Sequence, residues 1–180
     1  MPNTDLLKAA AVGLVPFVLS ATGYQYLPLT TLRFRWMPRW RLFLGAYGIV
    51  PLPTDDGCSC NVNGAFISAT GTIAMASTVD LSTTVGRGWL AHELCHAAQM
   101  FNGYWGILTP AERESQCFAL QHLYVFSQGG PSLGKVNMDD LTLHRKYDNV
   151  PLDQQPSGTE PDAKLRPAQS SREDQASSSR

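Results

Sequence analysis

The sequence carries no surplus of charge: 14 basic residues stand against 15 acidic ones, a formal net charge of −1. A balance this even gives no field with which to hold nucleic acid or an acidic partner. It has no glycine-rich phosphate loop and no internal repeat, which leaves phosphate-loop and solenoid readings without support. Cysteine is sparse. Cys58, Cys60, Cys95 and Cys117 in 180 residues fall short of a disulfide scaffold. In an exported chain they can form two bridges in any of three connectivities; in a chain kept inside they are free and packed. Cys58 and Cys60, one residue apart, read as turn cysteines or half of a bridge, because no second pair follows to complete a soft metal site.

Long apolar runs are also missing. The longest, Ala9 to Ser20, is preceded by Lys8, and no charge follows it until Arg33. It is too short to span a bilayer by itself but fits the h-region of a signal peptide, with small residues at Ala21-Thr22-Gly23 for cleavage. Asp5 cancels Lys8 in the n-region. Three readings of residues 1–23 follow: a cleaved signal peptide, an uncleaved anchor extending toward Leu32, or a buried helix kinked at Pro16. The first two place the protein outside the cytoplasm, periplasmic or secreted, or at a membrane. At the other end, residues 151–180 contain no aromatic, and Leu152 and Leu165 are their only large apolar side chains. Such a segment buries too little surface to offset its chain entropy and is expected to be a disordered tail.

What remains, residues 24–150, is enough for one domain, in a chain whose apolar share is 43%. From Leu32 to Leu44 arginines alternate with aromatics, setting Leu32, Phe34 and Trp36 on one face of a strand and Arg33 and Arg35 on the other. The segment reads as a half-buried strand or as a membrane-surface patch. The second reading, with the apolar run, points to membrane association through the first 44 residues. Turn residues crowd Gly45 to Asn63. Ala65–Thr70 and Thr72–Ser77 then read as two short strands separated at Gly71, or one strand bent there, an edge on which an extended peptide can add as a further strand.

The chemistry is concentrated in Trp89 to Gln99, where His92 and His96 are four apart and Glu93 follows the first. On a helix such histidines stack on one face and can close on one metal ion, while Glu93 lies about 100° round, beside it. This is the HExxH arrangement of zinc metallopeptidases. Ser82, Thr83 or Thr84 can cap the helix, and Asn102-Gly103 ends it. A hydrolytic zinc site needs a third protein ligand and an open position. The acids available soon afterwards are Glu112 and Glu114, on a helix that Pro110 opens after a Thr109 cap. Being two apart they lie about 200° from each other, so at most one points at a metal. Thr109 and Glu112 also form a capping box, which would turn Glu112 back on its own helix start. His122 and His144 receive no role.

HELCHAAQ followed by ERESQCFA resembles the gluzincin branch of zinc metallopeptidases, in particular its membrane-linked and minimal single-domain forms, over roughly residues 64–127. Their second motif reads ExxAD, then a small residue, an aromatic and Ala. The resemblance puts Glu112 at the metal-binding Glu, with Glu114 the alternative, and Cys117-Phe118-Ala119 on the trailing residues. Ser115 replaces the usual Ala and Gln116 the Asp that supports a metal-binding histidine, so that support is weaker or differently made. The implied fold is α+β and zincin-like: a short sheet packed on the HExxH helix, plus a second, ligand-bearing helix. The implied activity is zinc-dependent hydrolysis of a peptide or protein substrate, with Zn2+ on His92, His96 and Glu112 and with Glu93 as general base. The rival expectation is a non-catalytic binding or membrane-surface module on the same scaffold.

Overall fold

A computed structural model describes residues 3–42 and 62–148; Cys58, Cys60 and the expected tail from 151 onward lie outside them. Within the described residues the architecture is mixed α+β, with a three-stranded sheet and helices.

Helix α1 spans Thr4–Thr22. Asn3 caps it by accepting from the Asp5 N–H at 2.8 Å, and Gly23 ends it at φ 79°, a left-handed turn that glycine takes without strain. The residues read from sequence as a cleavage site therefore form the last turn of this helix and its cap. Pro16 sits inside α1, and Leu7, Ala11, Leu14 and Val18 make a buried stripe at spacings of four, three and four. That stripe belongs to the same core as Ile73, Leu90, Leu94 and Leu120. By length and composition α1 is also apolar enough to cross a membrane, a property shared by signal sequences.

Strands β1 (Arg33–Met37), β2 (Gly64–Ile67) and β3 (Thr72–Ala76) form a sheet in the order β1-β3-β2. β1 runs parallel to β3 and β2 antiparallel. The two strands expected around Gly71 are present, joined by a 3₁₀ turn over Ser68–Thr70 that ends at Gly71 with φ 59°. The alternation in β1 holds, with Phe34 buried and Arg33 and Arg35 exposed. Side chains alternate across a strand, so β3 is buried on both faces: Ile73 and Met75 join the core with the helices, while Ala74 and Ala76 pack with Leu42, Ala65 and Ile67 on the other side.

Helix α2 (Thr84–Phe101) starts at Thr83, whose hydroxyl accepts from the Gly86 N–H, and stops at Asn102. Helix α3 (Pro110–Ser127) lies along it. The two approach closely at Gly88, where a Cβ would fall 2.6 Å from Val125 Cγ2. Leu90, Leu94 and Leu120 are wholly buried, each contributing roughly 1.5–3 kcal/mol by leaving water. A 3₁₀ segment, Met138–Tyr147, kinked at Thr142, packs across α3.

Candidate metal centre

The face that α2 turns toward α3 carries His92 and His96, both buried. One turn of helix separates them, and their Nε2 atoms meet at 3.2 Å. From α3, Glu114 reaches both: Oε2 lies 3.3 Å from His92 Nε2 and Oε1 3.3 Å from His96 Nε2. These three side chains could hold a metal ion. With one ligand atom taken from each residue, the three lie within 4.8 Å of one another, and the two carboxylate oxygens of Glu114 divide between the imidazoles, one on each.

Glu112, expected as the third ligand on the strength of the resemblance, is elsewhere. Its carboxylate closes the capping box, accepting from the Thr109 N–H at 2.9 Å while Thr109 Oγ1 accepts from the Glu112 N–H. It is further held by Lys146 and by the Tyr147 hydroxyl at 3.2 Å. Because the two glutamates lie some 200° apart on the helix, this commitment of Glu112 leaves Glu114 facing the histidines. Glu114 is thus the glutamate that meets both imidazoles.

Burial works against charge in this cluster, and the partners reverse it. Desolvation alone would lower the pKa of His96, but the hydrogen bond it donates to Glu114 and the charges of Glu93 and Glu114 raise it to about 9. Burial would likewise raise Glu114, which is half exposed; its hydrogen bonds to His92 and His96 instead hold it far below the usual carboxylate range. Without metal the triad is therefore an ion pair, and a cation entering it displaces a proton.

Glu93 is buried, and desolvation raises its pKa; the nearby His92 and His96, and an N–H donated by Phe66, pull the other way. The contact with Phe66 follows from the register of β2. Ala76 N–H bonds Asn63 O, so residues 63, 65 and 67 turn their main-chain groups to β3, and those of Gly64 and Phe66 face outward. The edge of β2 that no other strand covers among the described residues thus lies along the Glu93 carboxylate. Gly64 makes this possible: a Cβ there would sit 2.7 Å from Glu93 Cγ and Oε1.

Aromatic rings wall the site. Trp105 packs edge-on to His96 and Phe66, with the Arg113 guanidinium over its ring at 4.5 Å. Phe118 lies edge-on to His92, their centroids 4.6 Å apart. Phe118, Trp89 and Ser115 line a cleft of about 460 Å³ together with Leu133 and Val136. Of the remaining histidines, His122 stacks on Phe126 and takes no part in the cluster, and His144 is buried between Tyr24 and Tyr104.

Behind His96, its Nδ1 meets Gln99 Oε1 at 3.0 Å and Cys117 Sγ at 3.4 Å. Gln116, which stands where the resemblance expects Asp, bonds Gln99, Tyr24, Leu141 and His144. The support of the histidine is thus differently made. Gln99 could have been suspected from its place three residues after His96; Tyr24 and Leu141 left no comparable signal. Cys95 and Cys117 are free and buried. No family model matches the chain, and no curated protein or solved structure matches it.

Proposed function

We propose that this chain is a zinc-dependent peptidase of zincin type, with His92, His96 and Glu114 as metal ligands and Glu93 as general base. The observation that carries the reading is the convergence of His92, His96 and Glu114, with ligand atoms within 4.8 Å of one another, beside the buried Glu93 carboxylate. Three donors converge among the described residues, which fits a hydrolytic site with a position left for water better than a closed structural site, which takes four. When bound, zinc supplies the Lewis acidity that brings the pKa of a water to ~7 and polarises a carbonyl oxygen.

The chain's own groups do the rest. Glu93, with a pKa raised by burial, takes the proton of the attacking water and hands it to the leaving amine. The outward carbonyls of Gly64 and Phe66, beside the Phe66 N–H that Glu93 already holds, offer an edge on which an extended peptide aligns as an added strand. The cleft beside Phe118 and Trp89 receives a neighbouring side chain. The apolar α1, whose Leu6 and Val12 are exposed, supports export or membrane association of the N-terminal region.

The test is Glu93→Gln in full-length protein, assayed with a mixture of fluorogenic peptides. The variant should keep one zinc per chain and lose hydrolysis. Absence of stoichiometric zinc in the wild type, or an undiminished rate in the variant, overturns the reading.

A further inference from the structure

The buried amides behind the metal centre form a chain that hydrolysis as described does not use, and its hydrogen bonds have only one consistent direction. Backbone carbonyls accept and never donate. Gln116 Nε2 donates to Leu141 O at 2.7 Å, so Gln116 Oε1 lies on the opposite side, where it accepts from the Tyr24 hydroxyl at 2.6 Å and from Gln99 Nε2 at 2.9 Å. The second Gln116 N–H reaches His144 Nδ1 at 3.0 Å, which completes all four positions of a fully buried amide. Gln99 Nε2 also donates to Arg113 O at 3.1 Å, so the Gln99 oxygen is the atom that faces His96 Nδ1. An oxygen there requires a hydrogen on Nδ1. Nε2 is then the only nitrogen of His96 with a lone pair to give a cation, and it is the one turned toward Glu114 and His92. His92 has no such brace: its buried Nδ1 finds no hydrogen-bond partner among the described residues.

We propose that Gln99 and Gln116 are positioning residues, which fix the orientation and tautomer of His96 through a chain of neutral amides anchored by the backbone carbonyls of Arg113 and Leu141. The inference rests on the metal-site reading above, whose third ligand Glu114 shares α3 with Gln116. It ties His96 to two parts of the chain distant in sequence, Tyr24 after α1 and the 3₁₀ segment that carries Leu141 and His144. The task that a carboxylate performs in the family resembled falls here to groups with no charge. Burial keeps the Tyr24 hydroxyl protonated, since it raises that pKa, and lowers the pKa of His144, which suits the one as donor and the other as acceptor.

The test compares Gln99→Met with Gln99→Glu in the full chain, with Zn2+ alone as probe. Both remove the donor to Arg113 O and Gln116 Oε1, so both lower stability. Only methionine removes the acceptor for His96. Gln99→Met should weaken zinc affinity roughly 10- to 100-fold, while Gln99→Glu keeps it. Equal losses in the two, or no loss in Gln99→Met, overturn the proposal. A second measurement stands apart from metal binding and from the folding of any variant: in metal-free wild type, long-range ¹⁵N–¹H NMR should find a slowly exchanging proton on His96 Nδ1. If the wild type binds no zinc, the metal reading fails, and the positioning proposal stands or falls on that proton. Its absence overturns it.

Discussion

Metal-free protein should lose stability as the pH rises through the range in which most proteins are indifferent to it. His96 has its pKa raised to about 9 in the folded state, against 6.5 for the unperturbed group. A histidine raised in this way contributes stability that is fully present below 6.5 and is lost as the pH climbs through 9. At about 1.4 kcal/mol per pH unit the whole contribution is about 3 kcal/mol, of which about 2 kcal/mol disappears between pH 6 and pH 8.5. Glu93 acts with the same sign, because burial makes it too bind its proton more tightly when folded. Glu114 is shifted downward, so its contribution fades only as the pH falls below the usual carboxylate value, outside this window. With a urea slope of ~1–3 kcal/mol/M, the unfolding midpoint of chelator-treated protein should fall by about 1 M across the interval. Zinc reverses the slope, because the cation takes the place of the His96 proton and competes better as protons become scarce. Opposite pH slopes with and without zinc are the expected result. A flat or rising midpoint in the metal-free protein would refute the ion-pair description of the triad.

Other expectations follow from single contacts. Glu114→Gln should abolish tight zinc binding and flatten the pH slope just described, whereas Glu112→Gln should leave zinc bound and cost about 1 kcal/mol of stability through the capping box; equilibrium dialysis and urea melts separate the two. Gly64→Ala places a methyl 2.7 Å from Glu93, so it should cost ~1–3 kcal/mol and cut hydrolysis while the zinc content stays at one per chain. Leu14→Ala, on the buried stripe of α1, should cost about 2–5 kcal/mol, read from the denaturation midpoint of the full-length chain. No change there would show that α1 does not pack on the core in solution.

The helix carrying His92, Glu93 and His96 was legible because its signals are local: a Thr cap, periodic apolar residues and an Asn-Gly stop lie within twenty positions. The strands around Gly71 were legible for the same reason, as was the alternation that buries Phe34. The choice between Glu112 and Glu114 was not. Angular spacing established that the two must point apart, and the Thr109 capping box was visible in the sequence as a competing use of Glu112. What settles the direction is Lys146 and Tyr147, more than thirty residues away, which hold the Glu112 carboxylate on the far side of α3. No periodicity in α3 announces a contact made by a later segment. The motif resemblance pointed to the carboxylate four residues before Gln116, whereas the glutamate that meets the histidines stands two residues later, and Gln116 turns to Tyr24 and Leu141.

That exchange of an acid for an amide has an electrostatic logic. Glu93, Glu114 and the two histidines already place several ionisable groups within a few ångströms in a buried site. A further carboxylate behind His96 would add negative charge to a cluster in which Glu93 is already raised by burial and by Glu114, pushing it further toward the protonated form. An amide orients the imidazole through the same kind of hydrogen bond without that cost, provided that each of its four hydrogen-bonding positions is met. Gln116 meets all four, and its partners come from residues 24, 99, 141 and 144. The neutral support can therefore form only in the folded chain, once the segment after α1, helices α2 and α3 and the 3₁₀ segment are together. Of the two histidines, the braced His96 is accordingly the one whose geometry depends on the whole fold.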